Sequence, residues 1–135
     1  MKLRKHENIL SSFLFLNFMI QKELQGFELS RYLWKNRIIL TFADDEYHPN
    51  LIKLKAEIKE NNCEILNRDL LHLHLSNDGK TGNHITTNDQ SFRILLIGKD
   101  GGIKYESNQF VPLIQLFELI DLMPMRQDEM VHDRC

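Results

Sequence analysis

The chain has 135 residues, 42% hydrophobic and 27% charged, with 17 basic against 19 acidic side chains and a net charge of −2. That composition is globular rather than disordered, and the length is that of one domain, enough to bury a core without a metal or a disulfide staple. No stretch gathers Lys and Arg into a basic stripe, which argues against nucleic acid as the main partner, because neutralising phosphates takes clustered cations.

The amino terminus places Lys2, Arg4 and Lys5 ahead of the apolar run 9–20 (ILSSFLFLNFMI). A basic head followed by about a dozen mostly apolar residues is the layout of a secretory signal, and the run is too short for a stable membrane span, which takes about 20 residues. Glu7 and Asn17 depart from that layout, and the nearest junction for cleavage follows Gly26. The same residues fit a second arrangement, a first helix with Ile9, Phe13, Leu16 and Ile20 on one face. Residues 1–26 are expected to be a signal, with the product periplasmic or secreted; the alternative is an N-terminal helix on a cytoplasmic protein. Residues 27–135 then form a single domain.

Residues 27–36 (FELSRYLWKN) read as a turn of helix leading into 37–42 (RIILTF), a nearly all-apolar run rich in β-branched residues. Such a strand is covered on both faces, which predicts the middle of a parallel sheet. After the polar loop 43–49 (ADDEYHP), Leu51, Leu54 and Ile58 recur at helical spacing and Ile65 continues their stripe. The spacing predicts a helix from about residue 50 that ends between 61 and 66. Residues 71–75 (LHLHL) alternate strictly and predict a strand with one apolar and one polar face. The stretch 76–91, with its glycines and threonines, reads as loop. A second apolar strand follows at 92–97 (FRILLI), then a tight turn at 98–102 (GKDGG) whose three glycines supply positive-φ positions, and an antiparallel return at 103–106. Pro112 opens a last helix, which Pro124 ends, and the tail from Met125 is polar.

The order strand, helix, strand, loop, hairpin, helix is that of a thioredoxin-type core. Its first and third strands are expected to be adjacent, parallel and central, with the second outside. The predicted fold is α/β: a thioredoxin-like (peroxiredoxin-like) three-layer domain, its sheet mixed, with a C-terminal β-hairpin and helix.

Four stretches carry a resemblance: Trp34-Lys35-Asn36-Arg37, Arg68-Asp69-Leu70, residues 98–104 (GKDGGIK), and residues 120–126 (IDLMPMR) with Glu129. Together they resemble an uncharacterised peroxiredoxin-like domain of bacterial exported proteins, shared with vertebrate matrix proteins such as the sushi-repeat-containing X-linked protein. The resemblance covers about residues 29–130. It implies a thioredoxin-like fold and an extracytoplasmic location, and no activity. The loop 76–91 is short for that pattern, so the usual second helix is expected to be reduced or absent.

Among the charged residues inside those motifs, Arg37, Arg68, Asp69, Lys99, Asp100 and Arg126 form the candidate binding patch; ion pairs and turn bonds that fix loops are the plainer account of the same residues. Thiol chemistry in this fold needs a cysteine at the start of the first helix, where backbone N–H groups and the dipole favour a thiolate. That position carries Asp44, Asp45 and Glu46, of which Asp44 and Asp45 are read as helix caps, and Gln90-Ser91 stand where the redox fold has its proline. His72 and His74 point the same way and could take a metal with His84, but the wet face of an edge strand is the expected reading, with no metal and no cofactor. Cys63 and Cys135 either pair or stay free. The expected function is a redox-silent binding or interaction domain with an unknown protein or small-molecule partner. The alternative is a degenerate thiol oxidoreductase or peroxidase-like enzyme using Cys63.

Overall fold

The structure is a computed structural model, described here for residues 29–76, 92–132 and 135. A short 3-10 turn, Leu29–Tyr32, leads into β1 (Arg37–Ala43), followed by helices α1 (Pro49–Glu60) and α2 (Asn62–Asn67) and strand β2 (Leu70–Ser76). Strands β3 (Phe92–Ile97) and β4 (Ile103–Ser107) then precede α3 (Leu113–Asp121), α4 (Pro124–Glu129) and a last 3-10 turn, Met130–His132. The four strands form one sheet in the order β2-β1-β3-β4.

The two all-apolar strands are the two central ones, as the sequence predicts, and β2 lies at the edge beside β1, to which it runs parallel. Their mutual direction is a correction: β1 and β3 are antiparallel, with Leu40 opposite Leu95. The apolar run records that a strand is covered above and below; it does not record which way the strand runs, so reading it as parallel inferred more than burial encodes. The mixed sheet and the antiparallel β3–β4 hairpin are as expected.

Alternation along the strands sorts side chains to two faces. One face packs Ile39, Ala43, Leu70, Phe92, Ile94 and Leu96 against Leu51 and Leu54 of α1, Ile65 of α2 and Leu113, Leu116, Phe117 and Ile120 of α3. The other gathers Ile38, Leu40, Phe42, Leu95 and Ile97 with Leu29, and Tyr32, Leu73, Leu75 and Ile103 border it. Among the described residues all the α-helices that reach a core lie on the first face. The signal and N-terminal-helix readings of residues 1–26, the loop expected at 77–91, Gln90-Ser91 and His84 lie outside the described residues.

Three local corrections follow from chain chemistry. The long predicted helix is two, because Asn61 leaves helical geometry at φ −118°, ψ 34° and its side-chain amide donates back to the Glu57 carbonyl at 2.8 Å. Pro124 does not simply end α3: it occupies the first turn of α4, where its fixed φ suits a helix start and its missing N–H is no loss, so the polar tail begins as a helix. In the hairpin only Gly101 has a positive φ, +82°. At Gly98 a Cβ would meet only the flexible end of Lys104, Cε at 2.6 Å, which can shift aside.

Candidate functional site

Strand β1 has two ends of different chemistry. Its carboxyl end runs into residues 44–48, the position where a thioredoxin-type fold would hold its thiol. Asp45 Oδ1 accepts the Tyr47 N–H at 2.7 Å, a local turn bond. The cap of α1 is His48, whose Nδ1 accepts the Asn50 N–H at 3.1 Å, so the expectation that Asp44 and Asp45 cap the helix is corrected. The chain needs two more residues of turn before Pro49 can start the helix, which carries the carboxylates away from its N–H groups.

At the amino end of β1 the charged motif residues come together. Arg37, 1% exposed, donates from Nη1 to the Arg68 carbonyl at 3.0 Å and to Glu129 Oε1 at 2.9 Å, and from Nη2 to Glu129 Oε2 at 3.3 Å. Lys99 Nζ, at the start of the hairpin turn, donates to Asp69 Oδ2 at 2.9 Å and Glu129 Oε2 at 2.7 Å. Arg68 grips Asp121 with Nε and Nη2 at 3.0 and 2.8 Å, reaches Glu64 Oε2 at 2.7 Å, and lies over the Phe117 ring at 4.2 Å. Arg126 shares Asp121 at 3.0 Å and donates to the Asn67 carbonyl at 3.0 Å. The paired, two-pronged geometry is what a guanidinium offers a carboxylate.

The backbone that presents these groups is held in uncommon conformations. Asp69, φ +49°, closes α2 in the left-handed region, its N–H on the Leu66 carbonyl at 3.0 Å and its own carbonyl accepting the Arg37 N–H at 2.9 Å. Trp34 has φ +64°, where a bulky side chain costs about 1–2 kcal/mol, and its N–H is fixed on the Lys99 carbonyl at 2.7 Å. Such strain in a bulky residue marks a position to examine for function. Burial alone would raise the Asp121 and Glu129 carboxyls. Arg68 and Arg126 around Asp121, and Arg37 and Lys99 around Glu129, more than reverse it, and both are held below the ordinary carboxylate value.

Beside this lattice lies a cavity of about 290 Å³, walled by Trp34, Gly98, Met123, Pro124 and Met125, with Arg37, Lys99, Asp100 and Lys104 as its charged lining. The six candidate residues therefore divide. Arg37, Lys99 and Asp100 line the cavity, while Arg68, Asp69 and Arg126 belong to the lattice behind it. Asp100 takes no part in the lattice: its Oδ1 accepts the Gly102 N–H at 2.9 Å and its Oδ2 pairs with Lys104 at 2.8 Å, which fixes the hairpin turn. Trp34 and Lys104 stood inside the motifs without being singled out; a Trp gives no sign of a positive φ, and only the hairpin register brings Lys104 back over Gly98.

The two histidines are not on a wet face. Both reach Thr41 Oγ1, His72 from Nε2 and His74 from Nδ1, each at 2.9 Å, and Thr41 is fully buried. Burial first, then the mutual charge of His74 and that of Lys55, pushes His72 down to about 4, and burial likewise lowers His74. Among the described residues no three His, Cys, Asp or Glu side chains gather as a metal site would require. No helix among the described residues is long and apolar enough to cross a membrane. Cys63 and Cys135 are joined in a disulfide with Cα atoms 5.8 Å apart, so the alternative left open by their number closes on pairing, and Cys135 is not the unanchored residue its polar tail suggested.

A solved structure similar to this chain is that of the reduced 2-Cys peroxiredoxin of Plasmodium vivax, 12% identical, with a TM-score of 0.55 over 74% of this chain and 84% of that one. At that identity the likeness shows the fold, which is thioredoxin-like, and nothing of the chemistry. No curated protein sequence matches the chain. A family profile does, over residues 28–129, most of the chain and all four motifs, and on that match the chain belongs to the family described as Domain of unknown function (DUF4174).

Proposed function

We propose that this domain is a redox-silent binding module that works outside the cytoplasm. The observation that carries the reading is the placement of its sulfur. Residues 44–48, where this fold would position a thiolate, hold Asp44, Asp45 and Glu46, whose charges would raise a neighbouring thiol's pKa. Both cysteines of the chain are engaged with each other elsewhere, Cys63 at the start of α2 and Cys135 beyond α4. A thiol exchanger requires a free, positioned thiolate. The disulfide also supports an oxidising compartment, in accord with the signal-like residues 1–26.

Insulin reduction and peroxide turnover by the purified chain, beside a Cys63→Ser/Cys135→Ser variant, test the first half. Background rates in both support the reading, and turnover that vanishes in the variant promotes the oxidoreductase. Amino-terminal sequencing of protein from the native host tests the second: a start near residue 27 in an envelope or secreted fraction supports export, and an intact Met1 in the cytosol refutes it.

A further inference from the structure

We propose that the outer edge of β2 is a self-pairing surface, along which two copies of this chain join antiparallel about a two-fold axis at Leu73. Among the described residues β2 has a neighbouring strand on one side only, so the sheet ends on it as it ends on β4 at the far side. A bare strand edge offers N–H and C=O groups to another strand, and proteins commonly block it with charged side chains, a proline or a bulge. β4 is blocked twice, by a register shift opposite Leu96 and Ile97 and by Lys104 and Glu106 exposed along it. β2 carries no such device. It runs seven residues in unbroken register with β1 and contains no Asp, Glu, Lys, Arg or Pro.

The sequence of the edge names its partner. Residues 71–75 read Leu-His-Leu-His-Leu, the same in both directions about Leu73, which is also the midpoint of the strand. Antiparallel pairing at that point sets Leu73 against Leu73, Leu71 against Leu75 and His72 against His74 of the second copy. The hydrogen-bond phase agrees. The Arg37 N–H on the Asp69 carbonyl, continued through the parallel register, turns the backbone groups of Leu71, Leu73 and Leu75 to β1. Those of Leu70, His72, His74 and Ser76 then point outward. The two-fold at Leu73 brings these outward residues opposite one another, His72 with His74 and Leu70 with Ser76, each pair exchanging two backbone bonds. A slip of one residue would oppose outward groups to inward ones, and a longer slip would shorten the overlap. The side chains are compatible as well. Both histidines turn to Thr41 and are uncharged at neutral pH, while Leu73 and Leu75 carry the border of the second apolar face across the junction, so no like charges meet. The contact is isologous and uses up the edge in both copies, so it closes at the dimer.

A contact of one strand edge falls below the roughly 1,200 Å² of a stable complex, which predicts a weak dimer. Sedimentation equilibrium of the full, disulfide-intact chain should show half-dimerisation at about 10–100 µM. Leu73→Lys places two ammonium groups face to face at the axis and should weaken the dimer at least about tenfold, with a melting curve confirming that the variant is folded. Cross-linking tests the register without a charge. Under mild oxidation Leu73→Cys should give a disulfide-linked dimer, because like residues face each other only at the axis, and Leu71→Cys, which faces Leu75, should not. A chain monomeric up to about 500 µM overturns the pairing and leaves the edge to a strand of another protein. A dimer that folded Leu73→Lys leaves unmoved, or equal cross-linking at Leu71→Cys and Leu73→Cys, overturns it too.

Discussion

The two ends of β1 lie about 20 Å apart along the strand, and they differ in almost every physical respect. The carboxyl end opens into an exposed acidic turn held by short local bonds, Asp45 to Tyr47 and His48 to Asn50. The amino end is tied by contacts of long sequence separation: Arg37 to Glu129, Lys99 to Asp69, Arg68 to Asp121. In a thioredoxin-like fold the first of these ends is where thiol chemistry would sit. Here the buried charge, the left-handed residues and the cavity are all at the other. A fold thus fixes where a strand ends, and the side chains decide which end carries function.

The comparison is open to direct attack. Arg37→Met should be the most damaging single change, about 3 kcal/mol by urea unfolding, since it removes a buried guanidinium from the lattice and leaves the half-buried Glu129 with Lys99 alone. The same measurement on Asp44→Ala should move stability by less than about 0.5 kcal/mol. Equal losses would erase the contrast between the ends. Cys63→Ser/Cys135→Ser should cost about 3 kcal/mol, because the bond spans 72 residues of sequence and restricts the unfolded chain. Thermal melts before and after reduction of the wild type should show the same difference.

Acid should separate a third element from both ends. His72 titrates near 4 when folded and near its ordinary value of about 6.5 when unfolded, so the unfolded chain takes up the proton first as pH falls. Stability present above about 6.5 is lost progressively down to about 4, by about 3 kcal/mol, and His72→Gln should flatten that stretch of the profile. Asp121 and Glu129, whose folded values are lowered, contribute stability that is fully present above their ordinary values and is lost from about pH 4.5 downward, at the foot of this range and below it. A melting profile flat from pH 7 to 4 in the wild type would contradict the buried His72–Thr41–His74 arrangement. Trp34→Gly relieves the left-handed strain and should leave stability unchanged or raise it by about 1 kcal/mol. A clear loss of stability instead would make Trp34 a structural residue.

Much of this architecture is legible in the chain because it follows from burial. The runs RIILTF and FRILLI announce central strands, the 51, 54, 58 spacing announces α1, and the glycines of 98–102 announce the hairpin. What burial does not encode was misread or invisible. Strand direction left no mark in β3, and Pro124 served equally as a stop for α3 and a start for α4. The motif charges Arg37, Arg68, Asp69, Lys99 and Arg126 do converge, with Asp121 and Glu129 of the fourth motif as their carboxylates, but which cation meets which carboxylate is set by contacts 53 and 92 residues apart that no local pattern records. His72 and His74 look like a wet face because alternation shows only that two positions share a side; the buried Thr41 hydroxyl that partners these half-buried rings is 31 residues away for His72.

The Arg37–Glu129 pair has a consequence in time. Its partners are 92 residues apart, joining the first strand of the sheet to the last α-helix. A chain emerging from a ribosome or a translocation channel presents Arg37 long before Glu129, and in that interval a guanidinium destined for the interior has no carboxylate to meet. Closing so long a loop is slow, and contacts of this kind lower folding rates. The central strands therefore gain their last electrostatic support only when α4 docks, so completion of the fold waits on the carboxyl-terminal segment, and a chain stopped short of Pro124 is expected to stay open to proteases and chaperones.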